Sequence, residues 1–229
     1  MIQSRRRMIV VSCALVVAAG SGASGLYLNN ASAISDIAHS VSAAQASQTS
    51  TVQDVVAEAL YQHYAMGTPS ALQRARQPHT YLVARQPALP AKSSKAATAQ
   101  PDLAEVAEQS RLGETALKTV FAHASPALTG RTRLALTNTL AANSDPNGRF
   151  LGAGVSDLSF QDVTISGDTA IVHATASAWS SIQQIGPDGS WMSATPTGTL
   201  LVTGTVRKSS DGQWAIYDLV STHTEGTRP

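Results

Sequence analysis

Two runs of β-branched residues that meet at a Gly-Asp pair constrain this chain more than any other feature. Asp157 to Ile165 leads into Ser166-Gly167-Asp168, and Thr169 to Trp179 leads out. Such a turn between alternating runs is the signal of a β-hairpin. Side chains of a strand alternate between its faces, so Ala170, Val172, Ala174, Ala176 and Ala178 share one face, and Ile171, His173, Thr175, Ser177 and Trp179 the other. A face of small residues suits close packing against helices. Thr199 to Lys208 repeats the pattern with Leu200, Val202, Gly204 and Val206, and Asp211-Gly212 turns it into Gln213 to Ser221. In this last run Trp214, Ile216 and Val220 share a face, with Trp214 expected buried, while Tyr217 and Leu219 take the other. Gly167 is expected at positive φ, where a Cβ would be strained. Val155 to Ser221 therefore predicts a four-stranded antiparallel sheet.

The sheet has helices before it. Asp102, with Glu105 three residues on, is an N-cap signal, and Ala116, Leu117, Val120 and Phe121 form the stripe of the helix that follows, with Gly113 a possible break. Ser125-Pro126 ends that helix. Thr129 is positioned to cap a second one, whose apolar residues are Leu134, Leu136 and Leu140 and which closes at Asn143 to Gly148. Helices followed by strands give an α+β layer: two helices packed on a curved antiparallel four-stranded sheet, over residues 101–224, with 225–229 as a tail.

Upstream the chain changes character. Arg5-Arg6-Arg7 precedes an almost wholly apolar run, Met8 to Ala19, and then small residues. This is a charged n-region and an h-region. Residues 1–33 are expected to be a signal peptide cleaved after Ala31-Ser32-Ala33, or a membrane anchor spanning 8–28; either sends the remainder across a membrane with the arginines left inside. Residues 34–66 form a helical stalk in which Val52, Val55, Val56, Ala59, Leu60 and Tyr64 fall on one stripe, with Thr51 as cap. That stripe must be covered by the C-terminal domain, by a second copy joined through residues 51–66, or by a membrane. Residues 67–100 hold Pro69, Pro78, Pro87 and Pro90, with Arg74, Arg76, Arg85, Lys92 and Lys95 and no acid. They are expected to be a disordered basic linker.

Several chemistries find no support. Cys13 is the single cysteine, so no intrachain disulfide and no cysteine metal cluster can form. The six histidines include no metal-binding pair at helical spacing, and no cofactor motif is present, neither a Gly-rich phosphate loop nor a Gly-x-Ser-x-Gly elbow. A net charge of +1 with 5% aromatic residues offers no nucleic-acid platform. No metal, cofactor or nucleic acid is therefore expected.

Asp162 to Ala174, with Gln213-Trp214-Ala215-Ile216-Tyr217-Asp218 near the end, resembles the sheet half of the nuclear-transport-factor-like, ketosteroid-isomerase-like cone superfamily. There the helices come first, a Gly-Asp hairpin joins two long strands, and a last strand opens with a Trp after an Asp-Gly turn. The layout is also similar to the mammalian-cell-entry-associated membrane proteins of actinobacteria and to the inner-membrane scaffold subunits of conjugation and type IV secretion machines. The resemblance in layout implies an extracytoplasmic, membrane-tethered or secreted domain of the bacterial cell envelope that binds a protein partner, and the absence of a catalytic motif makes a non-catalytic domain the expectation. Two alternatives stand beside it: a module for a small apolar ligand, lined by Ile171, His173, Trp179 and Tyr217, and an isomerase- or dehydratase-like enzyme using His173 and Asp157. Such an enzyme needs a base and a donor that converge in an apolar pocket. Tyr217, Asp218 and His223 are further titratable candidates on the sheet.

Overall fold

The computed structural model describes residues 30–76 and 102–224, with side chains from 42 to 72 and throughout the second span. The anchor expected at 8–28, the greater part of the linker and the tail lie outside the described residues. The chain divides into two units, Met1–Ser42 and Ala43–Pro229. Of the first, the backbone is described from Asn30, and it is helical. Among the described residues no helix is long and apolar enough to cross a membrane.

Among the described residues four helices, α1 (Asn30–Ala65), α2 (Pro69–Arg76), α3 (Leu103–Thr119) and α4 (Pro126–Asn143), precede five strands, β1 (Gly148–Ser166), β2 (Thr169–Ile185), β3 (Trp191–Ala194), β4 (Thr197–Lys208) and β5 (Trp214–His223). The class is α+β, and the antiparallel sheet is curved and unclosed. β1 and β2 are the long hairpin, paired from Gly148↔Gln184 to Ser166↔Thr169, with Gly167 at φ +57° in the turn. β4 pairs with the first part of β2, from Thr169↔Arg207 to Trp179↔Thr197, and β5 completes the order β1-β2-β4-β5. The sheet has five strands, not the four expected. Trp191–Ala194 pairs with the far end of β2, and Thr195-Pro196 separates it from β4 because proline has no N–H for the ladder. β1 begins at Gly148, in residues expected only to close a helix.

The alanine face of β2 and the Leu200, Val202, Gly204, Val206 face of β4 point inward as expected and are buried. α1 covers them. Val52, Val56, Ala59 and Leu60 have no exposure, and a Cβ added at Gly204 would come 2.7 Å from a Val56 methyl, so helix and strand meet at van der Waals distance. Each fully buried Val or Leu contributes roughly 1.5–3 kcal/mol. Residues 51–66 are therefore part of the domain and not a separate stalk, and the stripe offered to a second copy or a membrane is already covered. Nor does Thr51 cap the helix: α1 runs through it, and its hydroxyl donates to Ser47 O at 2.9 Å. The linker expectation fails for residues 67–76, which form a turn and α2; Ser70 is buried and its Oγ accepts from Ala153 N at 3.1 Å.

Local signals in α3 and α4 are partly displaced. Asp102 caps α3 by accepting from Ala104 N and Glu105 N at 3.0 and 3.1 Å. α3 is continuous through Gly113, which is the close-approach point: a Cβ there would lie 2.5 Å from a Leu136 methyl of α4. α4 starts three residues before the Thr129 cap expected for it. Ser125 is the N-cap, its Oγ accepting from Leu128 N at 3.1 Å, with Pro126 in the first turn, where a missing N–H costs nothing. Leu128, Thr132 and Leu136, four residues apart on one face, are buried, and Leu134 is exposed. Buried Asn143, the last residue of α4, joins α3, β1 and the turn between α1 and α2: its Nδ2 donates to Gly67 O and Gln109 Oε1 at 2.9 and 2.8 Å, and its Oδ1 accepts from Phe150 N at 2.9 Å.

The last strand departs from simple alternation. A register shift between Thr205 and Val206 leaves Tyr217 unpaired opposite β4, and an extra residue in one strand moves everything beyond it to the other face. Ile216 and Leu219 are therefore the buried pair, and Val220 faces solvent. Trp214 is only partly buried, with the Lys208 ammonium 5.0 Å from its ring centroid; the deeply buried tryptophan is Trp179.

Candidate functional site

The face of the sheet turned away from α1 is built of cross-strand rows. One runs Asp162, His173, Thr203, Val220; the next Thr164, Ile171, Thr205, Asp218; a third Ser159, Thr175, Leu201, Thr222. Ile171, Leu201 and Val220 are 42%, 50% and 50% exposed. The face is thus apolar side chains set in hydroxyls, with its two carboxylates on the edge strands. Large apolar side chains grouped on one open face are more informative than single ones scattered over a surface.

The titratable candidates do not converge. His173 is exposed, with Nδ1 3.2 Å from Thr203 Oγ1. Asp157 is exposed at the β1 irregularity between Ser156 and Ser159, where its backbone takes φ +51° and its Oδ2 accepts from Ser156 Oγ at 2.9 Å. Aspartate tolerates that left-handed conformation better than most residues, which gives Asp157 a conformational role at this position. Tyr217 sits in the β5 irregularity with the Arg207 guanidinium 3.5 Å from its ring centroid. Asp218 accepts from Arg131 of α4 at 2.9 Å. Of the four residues expected to line one pocket, Ile171 and His173 face solvent, Tyr217 lies under Arg207, and Trp179 lines a cavity.

Trp179 departs from its face-mates because the surroundings of β2 change along its length. Up to Ser177 one side is open, whereas Ala178 and Trp179 are both buried, as are Ser181 and Gln183 beyond them. The indole lies on β1: Cβ atoms built at Gly152 and Gly154 would stand 3.4 Å from it. Beside it is a cavity of about 170 Å³ lined also by Tyr64, Phe150, Ala153, Pro196 and His223. Trp179 Nε1 and His223 Nδ1 are both buried without a hydrogen-bond partner. Tyr64 Oη is 2.9 Å from Ser221 Oγ, and burial raises its pKa. Sequence reasoning named Trp179 and His223 separately; nothing local joins residues 44 positions apart.

A second cavity, of about 120 Å³, lies between α3, α4 and the start of β1. Its polar wall is engaged in structure: Asp102 caps α3, Gln109 and Asn143 bond each other, and Arg149 donates twice to Gln183 Oε1 at 2.9 and 2.7 Å. Among the described residues no cluster of histidine, cysteine or acidic side chains has the geometry for a metal ion.

No protein-family model matches the chain, and no curated protein matches it. Several solved structures are similar to part of it, among them the following two. The intermembrane-space region of the chloroplast protein ARC6 is 20% identical over 54% of this chain and 97% of that one, with a TM-score of 0.35. An Ntf2-like protein involved in plasmid conjugation is 15% identical over 51% of each chain, with a TM-score of 0.24, so this chain spans about half its length. What the chain shares with them is partial and distant, and at these scores neither likeness carries an argument about activity or partners.

Proposed function

We propose that this chain is a non-catalytic protein-interaction domain of the bacterial cell envelope, tethered to or released from the outer side of a membrane, and that it docks its partner on the open face of the sheet. The observation that carries the reading is the exposure of Ile171, Leu201 and Val220 together on that face. An open surface of apolar groups in a lattice of hydroxyls, with its two carboxylates on the edge strands, suits the core of a protein interface. The dispersal of Asp157, His173, Tyr217 and Asp218, each held in a different local role, supports the non-catalytic part. The placement outside rests on the charged and apolar leader, Arg5 to Ala19. The arrangement of helices before a Gly-Asp hairpin, with Trp214 opening the last strand after Gly212, agrees with what the resemblance to the nuclear-transport-factor-like cone implies.

Photo-crosslinking in the native cell tests the proposal, with the crosslinker at Leu201 of the sheet or, as control, at Leu134, exposed on α4. One discrete protein adduct is expected from position 201 and none from 134, and Ile171→Asp with Val220→Asp should abolish it in a normally abundant protein. Equal or absent adducts from both positions would overturn the docking surface. A null phenotype for His173→Ala in a folded, abundant chain would overturn the non-catalytic reading.

A further inference from the structure

β1 and β5 are the outer strands of the sheet, and their free edges are not alike. β5 is capped by its own chain: Ser125 N donates to Tyr217 O at 2.7 Å, and Arg131 Nη2 to Leu219 O at 3.1 Å. The first part of β1 is capped too, since Phe150 N donates to Asn143 Oδ1 at 2.9 Å and Ala153 N to Ser70 Oγ at 3.1 Å. From Leu158 to Ile165, among the described residues, no backbone group of β1 bonds outside the β1–β2 hairpin. Such an edge is a template for a further strand. The core is open along the same stretch. Leu158, Phe160, Val163 and Ile165 pack against it and are only partly buried, whereas Ala170, Val172 and Ala174, opposite them on β2, are closed off.

We propose that this edge pairs with the same edge of a second copy, the two β1 strands running antiparallel about a two-fold axis between Gln161 and Asp162. The self-complementarity of the run selects that occupant. A two-fold contact sets residue i against j and j against i, and residues directly opposite in an antiparallel pair share a face. The bulge that leaves Gln161 unpaired against β2 moves the inward positions from Leu158 and Phe160 to Val163 and Ile165, so the pattern reads alike from either end. About this axis Leu158 meets Ile165 and Phe160 meets Val163 on the inner face, and Ser159 meets Thr164 on the outer. Asp162 meets Gln161, whose amide donates, and Asp157 meets Ser166, so no like charges oppose. A slip of one residue would set Asp162 against itself and Phe160 against Thr164. Bulges and acids on an edge discourage indiscriminate pairing; here the symmetry of the run accommodates both.

Disulfide trapping in the native cell tests the register, on the full-length chain with Cys13→Ser. Residues 159 and 164 of one chain are roughly 16 Å apart along the strand, beyond the reach of a disulfide, but directly opposite residues of paired strands lie within it. Ser159→Cys with Thr164→Cys should give a disulfide-linked dimer under mild oxidation, at least tenfold more than either single variant. No dimer, as when residues 77–101 or another protein occupy the edge, would overturn the proposal, and so would equal yields from the single variants. Val220→Asp, on the far strand, should leave the trapped dimer unchanged, so the result stands apart from the docking face; loss of the dimer there would place the contact on that face and overturn the edge. Sedimentation of the full-length chain in detergent supplies a second measurement, with two chains per particle expected. Ser159→Lys with Thr164→Lys should weaken self-association at least tenfold, and Ser159→Lys with Thr164→Asp should restore it, because opposite charges then meet across the axis. A monomeric wild type, or equal association of the two charged variants, would overturn the pairing.

Discussion

At the scale of single residues, the side chains with most chemistry in the sequence are occupied by structure. Asp157 accommodates a left-handed backbone and Asp218 anchors Arg131. His63 is the titratable group whose environment has a measurable consequence. It lies between α1 and α4 with Nδ1 3.1 Å from Thr132 Oγ1 and its ring edge-on to Tyr64. Burial lowers its pKa below 6.5, and the Arg131 guanidinium adds to the shift. In the unfolded chain the imidazole therefore takes up its proton at higher pH than in the folded one. Stability from this group is full above about pH 6.5 and falls as the pH drops from there to the folded pKa. Thermal unfolding from pH 7.5 to 5 should show a steeper loss of midpoint in the wild type than in His63→Gln. Parallel curves would mean that the histidine is neutral to folding. Trp214, partly exposed beneath Lys208, should lose less on truncation to alanine than the roughly 3–5 kcal/mol expected of a buried tryptophan.

At the scale of elements, α1 on β4 is the contact on which the domain depends. Gly204 is needed there for space: its φ is unremarkable, but a side chain would strike the β-branched Val56, which has little rotamer freedom to yield. Gly204→Ala should destabilise by about 1–3 kcal/mol in urea denaturation. Val56→Ala in the same chain should recover part of that loss, because it removes the methyls in the way. If Gly204→Ala is neutral and the double variant is worse than either single one, helix and strand are not in van der Waals contact. The Asn143 network shows what an element-level reading misses. Its residue looks like a helix terminator in sequence, yet in the fold it holds the α1–α2 turn, α3 and β1 together through three hydrogen bonds.

For the whole molecule, the core crosses the boundary that the change of composition near residue 101 suggests. Val52, Val56, Ala59 and Leu60 are packed with Ala170, Val172, Leu200 and Ile216 in one cluster. A fragment of residues 102–224 should therefore expose the inner face of its sheet and fail to unfold cooperatively, whereas residues 43–224 should show a single sigmoidal transition by circular dichroism. A cooperative, equally stable 102–224 fragment would show that α1 is an accessory.

What the sequence determined by itself is what neighbours in the chain decide. The alternation of β2 and β4 gave their inner faces, the Gly167 turn its hairpin, and Asp102 its helix cap, because strand pleat, positive φ and capping all act over a few residues. What only the tertiary structure decided depends on partners far along the chain. The register shift at Tyr217 exchanged Val220 for Leu219 in the core, although the strand's own pattern favours Val220. The curve of the sheet put His173 in solvent and Trp179, on the same nominal face, under cover. The alanines of β2 asked for a helix, but whether α1 or a second copy of the chain supplied it was settled by the fit of Val56 on Gly204. Register, curvature and close approach are properties of pairs of segments, and no single segment encodes them.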